Sequence, residues 1–147
     1  SLEGTAIVFE VPITVSPGPA ILRLRTPQSE AYPIVFSIRP APPQIVSVVS
    51  PPDQPLGAAR PARLGEPISL QVARLGEPGE AIAAARVTII VGGIRHAAVQ
   101  VAPVANRPEW HEVSFILGTT VPTGDAVPLT VSIDGRDSLP VSIPIAR

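Results

Sequence analysis

Two histidines, His96 and His111, and a few carboxylates are the residue types in this 147-residue chain that most readily do acid–base or metal chemistry. His111 is followed by Glu112, and Asp125 lies in the next segment, so a metal or general-base site can be imagined there. Metal sites require three or four ligands at defined spacing. The sequence carries no H-x-x-x-H, no H-E-x-x-H and no EF-hand loop. Both histidines fall on alternating segments and read as exposed strand residues. Glu109 and Glu112 resemble a glycosidase pair only in residue type, because both sit at the entry to one strand, where no cleft is expected. Asp134-Gly135-Arg136-Asp137 offers two carboxylates to Ca²⁺. Asp-Gly also accepts the positive φ of a tight turn, and a turn is the expectation. The chain therefore reads as non-enzymatic, with no cofactor.

Trp110 is the single tryptophan, set between Pro108-Glu109 and His111. An aromatic at a loop-to-strand junction either stacks on a sugar or partner or lids one end of a core. The lid is the simpler expectation. Trp110, His111 and Arg107 are the candidate contacts for a ligand or partner. Aromatics make up only 3% of the chain, which excludes an extended stacking platform for polysaccharide. "ARLGEP" occurs at 62–67 and again at 73–78, and its Gly and Pro punctuate both ends of an intervening strand.

What must position these residues follows from composition. Cysteine and methionine are absent, which removes disulfides, thiolate metal sites and cysteine nucleophiles. The net charge of −1 supplies no electrostatic case for nucleic acid or an anionic membrane. No apolar run approaches the ~18 residues of a membrane-spanning helix. Twenty prolines leave few windows for helix, while 45% hydrophobic residues argue against disorder. Short strands joined by stiff loops satisfy both.

Alternation with period two runs through the chain. Ile7, Phe9, Val11 and Ile13 predict one strand, Leu22 and Leu24 a second, and Tyr32, Ile34, Phe36 and Ile38 a third. Residues 41–43 close a proline-rich linker. Beyond it, residues 44–49 predict a strand, residues 50–67 a long surface loop, and Ile68, Leu70 and Val72 another strand. Val87, Ile89 and Val91 pair across Gly92-Gly93 with a second arm from Ile94 to Val101. Val113, Phe115 and Leu117 follow. Leu129, Val131 and Ile133 then turn at Asp134-Gly135 into Leu139, Val141, Ile143 and Ile145. Residues 79–87 allow at most one helical turn. The fold class is all-β: an Ig-like antiparallel β-sandwich of about seven strands over 44–147, preceded by the last three strands of a second, similar module in 1–40.

That second module rests on an internal match. Phe9 aligns with Phe115, Val15 with Val121, Gly18 with Gly124 and Ala20 with Ala126. After a one-residue insertion, Leu22 aligns with Leu129, Pro33 with Pro140 and Ile38 with Ile145. The chain reads as a piece of a tandem array, with the upstream module represented by its closing strands only.

"VTIIVGGIRHAAVQ", "HEVSFILGTTVPTGDAVPLTVSIDGRDSLPVSI" and "FEVPITVSPGPAILRL" resemble the bacterial Ig-like repeats at the C-termini of secreted and surface proteins of acidobacteria. These are known as the Solibacter C-terminal domain family and are similar to IPT/TIG domains. The resemblance spans about two thirds of the chain and excludes residues 51–85. It implies a structural or adhesion module of a multidomain exported or cell-surface protein, and carries no catalytic or binding residue with it. Expected partners are other domains of the parent chain and surface polysaccharide or protein, the latter fitting an accessory module of a secreted hydrolase. Residues 1–40 are expected to be unstable alone and to pack on the rest of the chain or on another copy of it.

Overall fold

A computed structural model describes residues 7–12 and 15–147, and divides the chain into two units, Ser1–Pro40 and Ala41–Arg147. In the first unit, β1 (Gly18–Leu22) and β2 (Ile34–Ile38) form an antiparallel hairpin in which Gly18 faces Ile38 and Leu22 faces Ile34. Residues 7–12 alternate as expected and yet are not a strand. Alternation alone does not make one, because the ladder's donors and acceptors need a neighbouring strand. Ile13, the last residue of that expected strand, lies outside the described residues.

The second unit holds eight strands of four or more residues and three of two residues. In chain order these are β3 (Gln44–Ser50), β4 (Gln54–Pro55), β5 (Ala62–Arg63), β6 (Pro67–Ala73), β7 (Val87–Val91), β8 (Ile94–Ala97), β9 (Gln100–Val104), β10 (Arg107–Ile116), β11 (Gly124–Ile133), β12 (Arg136–Asp137) and β13 (Val141–Ala146). One sheet runs β4-β3-β6-β10-β9 and the other β5-β13-β11-β7-β8, with β12 beside β11. All pairings are antiparallel except that of β5 with β13. This strand order is that of an Ig-like sandwich.

Alternation decides which face is dry. Ile68, Leu70, Val72, Val113 and Phe115 of the first sheet meet Val87, Ile89, Val91, Leu129, Val131, Ile143 and Ile145 of the second in one buried cluster. Each such side chain contributes about 1.5–3 kcal/mol on burial. Among the described residues helix is confined to one 3₁₀ turn, Ala84–Arg86.

The two predicted turns differ from their surroundings in backbone, as their residues demand. Gly92 and Gly93 have φ of 55° and 85°, Asp134 and Gly135 of 49° and 77°. Gly92 is also pressed against the loop before β11: a Cβ there would lie 2.5 Å from Cγ of Pro122.

Three expectations need correction. The arm after Gly92-Gly93 is only four residues long. Ala97 pairs with Thr88, and continuing would require partners in the 3₁₀ turn before β7. The chain instead crosses to the other sheet, where Gln100 pairs with Ser114. Leu139 is not a core residue but 81% exposed, because β12 ends at Asp137 and β13 begins only at Val141. The loop 50–67 is not wholly superficial: it contains β4 and β5, and Ala62 is fully buried beside Ile145.

Candidate functional site

β10 carries all three candidate residues and separates them. Its inward positions are His111, Val113 and Phe115; Trp110, Glu112 and Ser114 point to the outer face of the sheet. Trp110 is therefore not a lid on the core. It stands opposite Ala73 of β6, a small neighbour that leaves room for the indole. Pro108 has no N–H for the ladder, and the pairing with β9 slips between Arg107, opposite Val104, and His111, opposite Pro103. The slipped segment carries the Arg107 guanidinium over the indole, 4.2 Å from the ring centroid. Such a stack is worth about 0.5–1 kcal/mol at an exposed site.

On the same outer face, Gln100, Ala102, Glu112 and Ser114 line a shallow depression of about 70 Å³. This is well below the ~300 Å³ of an enclosing small-molecule pocket. Ligand contact here would be along an open polar surface.

His111 corrects the expectation of an exposed strand residue. It is fully buried, because it occupies the inward phase of β10 opposite Val72. Its Nε2–H donates to the carbonyl oxygen of Glu80 at 2.9 Å, and Nδ1 has no protein partner. The ring is thus unavailable as a surface contact. Nearby, the Gly79 N–H donates to Pro108 O at 2.8 Å, so the loop between β6 and β7 is tied twice to the start of β10. His96 is half-buried rather than exposed. Its Nδ1–H donates to Ile94 O at 3.0 Å and its Nε2 accepts the Gly118 N–H at 2.9 Å. It also meets Phe115 edge-on at 5.5 Å. With both nitrogens engaged it has no lone pair free for a metal.

The charged network that sequence reasoning missed joins Arg86, Glu80 and Asp134. Arg86 pairs with Glu80 at 3.3 Å and with Asp134 across the β11–β12 turn. The Glu77 N–H on the Glu80 carboxylate, then Arg86, hold that group below its ordinary range; Arg86 does the same to Asp134. Both are ionised near neutrality and so unsuited to general-acid work. Arg86 and Asp134 are 48 residues apart, and no sequence pattern links them. Beside them Arg136 donates to Ala41 O at 3.0 Å and Leu75 O at 3.1 Å, securing the start of the second unit. Asp134 thus forms an ion pair in a turn.

Glu109 and Glu112 are both exposed on β10, and among the described residues no group of three or more His, Asp or Glu could hold a metal ion. The "ARLGEP" copies flank β6 as expected but do different work. Glu66 accepts the Arg63 N–H at 3.2 Å, whereas Leu75 of the second copy is fully buried. Searches of protein-family models, curated proteins and solved structures find no match to this chain.

Proposed function

We propose that this chain is a non-catalytic structural and adhesion module of a multidomain exported or cell-surface protein, built from Ig-like modules in tandem. The observation that carries the reading is a coincidence of registers. Gly18 faces Ile38 and Leu22 faces Ile34 in the first unit; Gly124 faces Ile145 and Leu129 faces Val141 in the second. These are the pairs that the internal alignment equates. The slip of β11 against β13, between Gly124 and Val127, accommodates one extra residue in the second copy, but just before the position the alignment gives it, so that Val127 rather than Ala126 takes the place of Ala20. A hairpin used twice, on either side of a proline-rich connection, is what serial spacing modules need. Export is supported by the resemblance of the same segments to acidobacterial surface repeats.

A second reading, a polysaccharide- or protein-binding accessory module, is favoured by the outer face of β10. Trp110, Glu112 and Ser114 lie in line there, about 7 Å apart, with Gln100 beside Ser114. Calorimetry and glycan arrays with plant and bacterial polysaccharides separate the two. The structural reading expects no affinity tighter than millimolar and no difference between the wild type and Trp110→Ala. Micromolar binding abolished by Trp110→Ala, with the fold intact, would replace it by the binding module.

A further inference from the structure

We infer that Arg136 acts as a strap on the chain's entry into the second unit, so that only Arg39 and Pro40 stay unfastened between the two units. The inference rests on the tandem reading and deepens it, because modules in series need a connection of defined length. β2 ends at Ile38. At Ala41 the carbonyl oxygen already accepts a hydrogen bond from Arg136 Nη1 at 3.0 Å. Nη2 of the same guanidinium donates to Leu75 O at 3.1 Å. One planar fork thus joins the first residue of the second unit to the loop between β6 and β7.

The strap is held at its base and at its second acceptor. Arg136 pairs with Ile133 across the Asp134-Gly135 turn. Just before it, Asp134 is ion-paired with Arg86. Just after it, Ser138 is buried; its N–H donates to Val131 O at 2.8 Å and its Oγ accepts the Val131 N–H at 3.0 Å. Leu75 is fully buried, so the loop carbonyl is anchored in the core.

The residues left between the units have little freedom of their own. Arg39 precedes a proline, which confines its backbone to extended conformations, and the ring of Pro40 fixes φ. Beyond the strap the next fastening is Pro43, which is buried, whereas Ala41 and Pro42 are exposed. Releasing Arg136 therefore lengthens the unfastened connection from two residues to four, or from about 7 Å to about 14 Å of extended chain.

The test uses the full chain, labelled for NMR relaxation. The Ala41 amide is expected to have the order parameter of rigid backbone, about 0.85. In Arg136→Ala it should fall below about 0.6, while Ile45 and Val72 keep their wild-type values and show that the sandwich is intact. The amides of β1 and β2 should then relax with a shorter effective correlation time than in the wild type. Arg136→Lys keeps the charge but not the fork, and should loosen Ala41 too. Arg74→Ala, which removes only a bond to the Gln44 side chain at the start of β3, should leave Ala41 rigid. An Ala41 amide that is mobile in the wild type, or as rigid in Arg136→Ala as in the wild type, overturns the inference. Loosening of Ala41 that leaves β1 and β2 unchanged overturns the strap's hold on the connection. Either failure leaves the functional reading standing, since micromolar glycan binding is what displaces that reading.

Discussion

Gly92 and Gly93 are adjacent, both have positive φ and both occupy the β7–β8 turn, yet the structure assigns them different costs on gaining a methyl group. At Gly93, φ is 85° and nothing lies within 4 Å of an added Cβ. Gly93→Ala therefore carries only the penalty of an L-residue in the left-handed region, about 1–2 kcal/mol. At Gly92, φ is 55° and the added Cβ meets Pro122 Cγ at 2.5 Å, Pro122 Cδ at 2.8 Å and Val127 Cγ1 at 3.1 Å. A proline ring cannot swing aside as a flexible side chain can. Gly92→Ala adds an overpacking cost of about 1–3 kcal/mol, for a total of about 2–5 kcal/mol. Urea unfolding of both variants at unchanged m-value measures the gap directly. Adding Pro122→Ala should recover much of it, a coupling that a double-mutant cycle isolates. Equal losses for the two glycines, or no recovery with Pro122→Ala, would refute the claim that this turn is seated on the loop before β11.

Replacing His111 tests two opposed terms. Leu removes the hydrogen bond to Glu80 O but also a buried Nδ1 without a protein partner, so His111→Leu should stay within about 1 kcal/mol of wild type. His111→Ala, which leaves a cavity, should cost about 2–4 kcal/mol. Chemical denaturation that finds Leu as costly as Ala would show that the Glu80 bond dominates. Arg86→Gln should act through pH. Glu80 and Asp134 have lowered pKa values, so their contribution is present above the unfolded carboxylate range and is lost as pH falls through the depressed folded values. The difference in melting temperature between wild type and Arg86→Gln should be full near neutrality and shrink below about pH 4. Because the groups are exposed, high salt should narrow it too. A gap constant down to about pH 2 would contradict the ion-pair account.

The order of residue types along the chain was enough for the all-β class, for the two tight turns and for most of the core. Ile68-Leu70-Val72, Val87-Ile89-Val91 and Leu129-Val131-Ile133 are buried as their alternation requires, because a period of two leaves a strand no other way to hide its apolar side chains. Phase is a different matter. His111 is buried and Trp110 is on the outer face because of register against β6, and register is a property of paired strands. The crossing between sheets after Ala97 depends on where β7 stops having partners. The Arg86–Asp134 ion pair depends on two loops meeting at one end of the sandwich. Local pattern says which residues want to be dry; only the assembled sheets decide which side of each strand is inside and which distant side chains become neighbours.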